Sequence, residues 1–222
     1  MAIESASLLG LEKTNLRKQA LVALRRAITA GEIAPGTHLV ETELSEMLQI
    51  SRGTLREALR ELQQQGLVSA GPRGRLSVRN LAPKEIQEIF TVRAALEALA
   101  ARLLSNQDNR AAHVATLRAR LDEMSAATGK GLEEQIETDL AFHHTLVELT
   151  DNGTLLQAWE SLEGSIRMSI MFAGVGRAVR NMDVSRHEEI VEAIESGDAA
   201  LARTTIISHM DDAAINLIDT DV

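Results

Sequence analysis

Residues 51–66, SRGTLREALRELQQQG, constrain this chain most. Ser51 can cap a first helical turn, Leu55, Ala58, Leu59 and Leu62 recur at helical spacing, and Gly66 can supply the left-handed stop. Arg52, Arg56 and Arg60 follow at i, i+4 and i+8 in a row beside the leucine stripe. Just upstream, LVETELSEMLQI reads as a shorter helix with Leu44, Met47 and Leu48 inward, and only Gln49 and Ile50 intervene before Ser51. A short helix, a tight turn and an arginine-bearing second helix make a helix-turn-helix, whose second helix reads the major groove of DNA. Ser51 and Thr54 share the leading end of that helix and join Arg52, Arg56 and Arg60 as DNA-contacting candidates. The plainer alternative is a surface helix whose arginines are solvated and paired with Glu57 and Glu61.

The flanks extend the motif. Thr14 to Ala30 carries Leu16, Ala20, Leu21, Leu24, Ala27 and Ile28 on one face, which predicts an earlier helix packed across the pair and ending at Gly31. After Gly66, LVSA and RLSV alternate like two short strands around Gly71, Pro72, Arg73 and Gly74, a hairpin pattern. Three helices and a basic hairpin form a winged helix-turn-helix, with Arg73 and Arg75 placed near a neighbouring phosphate or the minor groove.

Residues 31–79, with GEIAPGTHLVETELSEML, SRGTLREAL, QGLV and the glycine-rich wing, closely resemble the DNA-binding domain of GntR-family bacterial transcription regulators. The resemblance implies that the two arginines of S-R-x-x-x-R, here Arg52 and Arg56, contact base edges. Thr42 stands where many members of the family carry an arginine.

Composition is that of an intracellular protein. None of the 222 residues is cysteine, so no disulfide framework exists and a reducing cytosol is the expected home. The start, MAIESASLLGLEK, lacks the basic lead-in and apolar run of a signal peptide, and no apolar stretch approaches membrane-spanning length. A soluble, cytoplasmic protein with a loose arm at residues 1–13 is expected. Charge is unevenly divided: residues 1–80 hold 11 Lys and Arg against 8 Asp and Glu, and the remainder 12 against 24. The basic part can dock on DNA while the acidic part repels it. Because the basic excess is modest, tight binding calls for two copies, hence a homodimer on a two-fold symmetric, palindromic operator.

From Asn80–Pro83 onward the pattern is helical: approximate spans are 83–105, 110–128, 132–150, 154–173, 183–196 and 198–218, with breakers including Asn152-Gly153, Gly174 to Gly176 and Gly197. Short loops between helices of this length imply antiparallel neighbours in a bundle. The expected fold class is therefore mainly α, with a winged helix-turn-helix at 14–80 and an all-helical bundle, for effector binding and dimerisation, at 81–222.

Asp139 and His143 lie four apart on one helical edge, His187 stands near the start of SRHEEIVEAI, and His209 falls in the last helix. One carboxylate and three imidazoles from three helices can converge inside a bundle, and three nitrogens with one anionic oxygen suit zinc, nickel, manganese or iron, with a position left for water or a ligand. Each histidine alone reads equally as a hydrogen-bonded core or surface residue. His144 points off that edge. The segments VRAALEALAARL, DLAFH, RHEEIVEAIESGD and SHMDDA resemble the FCD-type effector domain of the FadR-like GntR subgroup. That resemblance implies a divalent transition metal, zinc foremost, on Asp139, His143, His187 and His209.

Arg93 sits beside Ala94, Leu96 and Ala100, and a guanidinium against an apolar face suits a buried carboxylate. Its alternative is a salt bridge to Glu97 at i+4. Arg167 in GSIRMSIMF is a second effector-binding candidate. The subgroup commonly senses small organic acids, so the resemblance implies a small carboxylate effector completing the metal's coordination. The resulting expectation is a ligand-responsive transcription regulator, a repressor, with no catalytic residues. Two rivals stand beside it: a purely structural metal that ties helices together, and a metal-dependent enzyme acting on a small carboxylate.

Overall fold

Leu55, Ala58, Leu59 and Leu62 are fully buried along a single helix, as their spacing requires. In the computed structural model, which describes residues 13–71, 74–173 and 175–218, that helix is α3 (Arg52–Gln64), preceded by α1 (Lys13–Thr29) and α2 (Glu41–Met47). The Ser51 hydroxyl accepts from the backbone N–H of Thr54 at 3.1 Å, a cap worth about 1 kcal/mol. At the other end Leu67 N–H donates to Leu62 C=O at 2.9 Å and Gly66 N–H to Gln63 C=O at 3.0 Å. This paired closure requires the left-handed φ of 72° at Gly66. The turn between α2 and α3 is made by Gln49, also left-handed at φ 53°.

Two inward assignments fail. Met47 is 76% exposed and Leu16 is 49% exposed. α2 spans only seven residues, and its inner face is built from Leu44, Leu48 and the buried Ser45. At 100° per residue Met47 lies roughly 110° from the centre of that face. Leu16 belongs to the first turn of α1, before the buried run Ala20, Leu21, Leu24 and Ile28 begins.

The hairpin is present as β1 (Val68–Ala70) and β2 (Leu76–Val78), antiparallel with Val68 opposite Val78. Residues 36–39 lie along the other side of β2, with Val78 N–H donating to Thr37 C=O at 3.0 Å and Leu39 N–H to Leu76 C=O at 2.9 Å. This third edge has no period-two hydrophobic signal. The winged unit reaches to Asn80, and a separate helical unit begins at Leu81.

The helical unit contains α4 (Pro83–Ser105), α5 (Arg110–Ala127), α6 (Leu132–Glu148), α7 (Gly153–Phe172), α8 (Val175–Asn181), α9 (Val184–Glu195) and α10 (Ala199–Ile218). Its short α8 occupies a stretch read from sequence as a break. α4 packs against α10, α7, α6 and α9, so it is the central helix. Its Phe90, Ala94, Ala98, Ala101 and Leu104 join Phe142 of α6, Trp159 of α7 and Ile206 of α10 in one core. Centrality has a chemical consequence: Arg93 and Glu97, charged residues of α4, are forced inside at 3% and 0% exposure. Buried charges persist only when paired. The protein is thus mainly α, a winged helix-turn-helix followed by a helical bundle.

Candidate functional site

In the winged unit, α3 buries its leucine stripe and turns Arg52, Arg56 and Arg60 outward. The pairing considered for Glu61 goes elsewhere, to Arg17 of α1 at 3.4 Å. Arg56 reaches back to α2, where its Nε donates to Glu41 Oε2 at 2.7 Å. Ser51 and Thr54 share a 2.9 Å hydroxyl–hydroxyl contact at the helix start. Arg75 is exposed beside the hairpin turn, where Gly71 N–H donates to its carbonyl. Arg73 lies outside the described residues.

In the helical unit, α6 places Asp139 and His143 one turn apart, α9 supplies His187 and α10 supplies His209, and all four are buried. The three histidines each offer a nitrogen within 4.8 Å of the others. His143 Nε2 stands 3.2 Å from His187 Nε2, and His187 Nε2 stands 3.1 Å from Asp139 Oδ1. Phe142 closes the site with edge contacts to both the His143 and His187 rings.

The outer nitrogens decide what the inner ones can do. His187 Nδ1 lies 2.8 Å from the backbone carbonyl of Asp183, which can only accept, so Nδ1 carries a proton. His143 Nδ1 lies 2.6 Å from the carboxylate of Glu97 and is a donor for the same reason. If both rings are neutral, their outer protons leave two nitrogen lone pairs facing each other at 3.2 Å beside the Asp139 carboxylate, an arrangement that repels unless a proton or a metal ion lies between. Burial pushes the His143 imidazole below its ordinary value, against the pull of Glu97. His209 is held well below 6.5, first by burial and then by the charges of His187 and His143. Burial works against protonating His143 and His209, and a divalent cation fits the donor set of three nitrogens and one carboxylate oxygen.

Glu97 is the residue that sequence reasoning treated only as a partner for Arg93. Its Oε1 accepts from Arg93 Nε at 2.7 Å and Trp159 Nε1 at 2.8 Å, while Oε2 holds His143. Burial alone would raise its pKa, but Arg93 and His143 outweigh it and hold the carboxyl at about 2. Asp139 is likewise raised by burial and lowered more by His187, His143 and Arg93, to about 2. The salt-bridge alternative for Arg93 is therefore present, yet its Nη2 remains buried with no hydrogen-bond partner among the described residues. Arg167 is committed elsewhere: its two terminal nitrogens grip Glu137 at 2.6 and 3.0 Å.

These shifts set an acid limit. His209, Glu97 and Asp139 all have folded-state pKa values below the unfolded ones, so the unfolded chain binds more protons and stability falls as pH falls. The loss begins near 6.5, where unfolded His209 takes its proton, and deepens from about 4.5 toward 2 as the two carboxylates follow. Glu97 alone accounts for on the order of 3 kcal/mol by this linkage. Melting of the metal-free protein followed by circular dichroism should show a steady decline below pH 6.5, and a flat profile from pH 7 to 4 would contradict it.

Comparison with known proteins follows this division. The model of the FCD domain matches residues 88–212, and that of the bacterial regulatory proteins of the gntR family matches residues 16–78. A relative described as the probable D-xylose utilization operon transcriptional repressor of Paenarthrobacter nicotinovorans is 30% identical over 201 residues, 90% of this chain and 88% of that protein. The gluconate operon transcriptional repressor of Bacillus subtilis (strain 168) is 26% identical over 208 residues, 91% of this chain and 85% of that protein. Among solved structures, a GntR transcriptional regulator from Rhodococcus sp. RHA1 has the same fold, with a TM-score of 0.74 at 22% identity over 93% of this chain and 99% of that one.

Proposed function

Since this chain belongs to the gntR family of bacterial regulatory proteins and carries an FCD domain, we propose that it is a repressor whose helical domain senses a small carboxylate at a metal site. That it is a DNA-binding transcriptional regulator rather than an enzyme follows from the family and the relatives. The repressor reading draws on the relatives with xylose and gluconate operons. No helix among the described residues is long and apolar enough to cross a membrane.

In this reading Arg52 and Arg56 contact bases of a palindromic operator, with Ser51, Thr54, Arg60, Arg73 and Arg75 on the backbone, and a homodimer formed through residues 81–222 sets half-site spacing. Asp139, His143, His187 and His209 hold the metal. Three nitrogens and one oxygen favour zinc, with nickel, manganese or iron as alternatives. The metal would supply a Lewis-acidic position for a carboxylate oxygen. The observation that carries the sensing role is Arg93 Nη2, a buried cationic donor without a hydrogen-bond partner among the described residues, in the same side-chain network as His143. Arg167 has both terminal nitrogens on Glu137, so this reading gives the effector's carboxylate to Arg93 first and keeps Arg167 as a second candidate.

The effector would act by favouring one arrangement of the bundle, and through it one spacing of the two recognition helices. A second reading rests on the ligands coming from α6, α9 and α10, since a metal joining three helices could be structural. A melting-temperature screen of small carboxylates with and without zinc separates the two. Sensing predicts acids that stabilise only with zinc present, by about 2.7 kcal/mol at a hundred times the dissociation constant, and that release DNA. Stabilisation by zinc alone, with no acid changing melting or DNA release, would leave the structural reading.

A further inference from the structure

Metal affinity in a site of this kind depends on which nitrogen of each ring holds the proton. For His187 that choice is made by a backbone carbonyl, which no side-chain substitution removes. For His143 it is made by one side chain, Glu97, through the 2.6 Å contact at Nδ1. Glu97 comes from the central helix, is fully buried, and touches none of the other three proposed ligands among its hydrogen bonds.

We propose that Glu97 is the positioning residue of the metal site: it holds the His143 proton on Nδ1 and thereby makes Nε2 a ligand. The inference rests on the metal reading above and assigns the residue on which the donor set depends. The carboxylate's orientation follows from its three partners. Oε1 accepts from two donors, Arg93 Nε and Trp159 Nε1, and Oε2 faces the His143 nitrogen. A carboxylate can accept on both oxygens, so it satisfies all three contacts together.

An amide cannot. In Glu97→Gln one of the two positions becomes an NH2 donor. Placing it at Oε1 would set it against Arg93 and Trp159, two donors that cannot accept. The amide oxygen therefore stays there, and the NH2 faces His143 Nδ1. A ring nitrogen facing a donor must present its lone pair, so the proton moves to Nε2 and the metal loses a ligand. Shape and volume are almost unchanged, which separates proton placement from packing.

The test uses the full-length protein, wild type and Glu97→Gln, with two measurements. Ring nitrogen chemical shifts of His143 at pH 8, metal-free, should show the proton on Nδ1 in the wild type and on Nε2 in the variant. Zinc competition against a chelating dye should give a dissociation constant roughly 10–100-fold weaker in the variant, the usual range for a partner behind a ligating histidine. Trp159, the chain's single tryptophan, reports by fluorescence whether the Oε1 contact survives. A wild-type His143 with Nδ1 bare overturns the proposal without any variant, which covers the case of a variant that does not fold. A variant with zinc affinity within about threefold of wild type also overturns it. If wild type takes up no zinc, the metal reading fails, while the nitrogen shifts still decide what Glu97 does. A purely structural Glu97 would lower melting but leave the Nδ1 proton in place.

Discussion

Replacing Arg52 and Arg56 together by alanine is expected to erase the distinction between operator and random DNA while leaving the winged unit folded. Both side chains are on the exposed side of α3, and the residues that hold this helix in place, Leu55, Ala58, Leu59 and Leu62, lie on its opposite face. No core atom is removed, and alanine has a better helix propensity than arginine. What is lost is a base-edge contact per arginine, about 1–3 kcal/mol each, so operator affinity should fall by about 2–6 kcal/mol, roughly 30-fold to a few times 10⁴-fold. Non-specific affinity should fall far less, since Arg60 and Arg75 still offer positive charge to the phosphates. Arg56→Ala also releases Glu41, adding a free carboxylate near the DNA surface. Fluorescence anisotropy against an operator selected from random DNA by the wild type, and against scrambled DNA, gives the ratio directly. An unchanged ratio at unchanged melting temperature would remove α3 from its assigned role.

The winged unit was legible because its determinants are local. Ser51, Gly66 and the leucine stripe act within one helix, and each cap or stop depends on atoms a few residues away. Met47 was misread because a seven-residue helix carries too few apolar positions to define its inner face, and Ser45 took a place expected for a hydrophobe. The strand-like edge at 36–39 is held by backbone hydrogen bonds to β2, which side-chain patterns do not report. In the bundle, helix existence was clear from breakers and periodicity, but side-chain partnerships were not. His143 and His187 are 44 residues apart in sequence and 3.2 Å apart in space, and no spacing rule connects them. The Arg93–Glu97 pair was visible at i+4, whereas the partners that give Glu97 its second role come from α6 and α7, 46 and 62 residues away. Arg167 shows the same limit: as a second effector-binding candidate in GSIRMSIMF its partner was not visible, and Glu137, 30 residues earlier, takes its fork.

Substituting both His143 and His187 by alanine is expected to abolish metal uptake, from about one equivalent per chain to none, because two of the four donors disappear and the remaining pair cannot complete a tetrahedral set. The energetic signature should be as informative as the metal content. In the wild type, a metal bound to the folded state alone raises stability by about 4.1 kcal/mol at a thousand times its dissociation constant. The double variant should gain nothing from added zinc. Its metal-free fold feels two opposed changes: cavities are left where fully buried rings stood, but the cost of burying two polar rings 3.2 Å apart is gone. The variant should therefore lose less in the absence of metal than two buried truncations alone would cost, and its largest deficit should appear only when zinc is present. His144→Ala is the control one position away. That ring is about a third exposed, sits near Glu148 and Glu160, and makes an edge contact with Trp159 rather than with the cluster. It should retain full metal content by elemental analysis. A double variant with the wild type's metal content would reject these histidines as ligands, and a His144→Ala variant that lost its metal would move the site to the other side of α6.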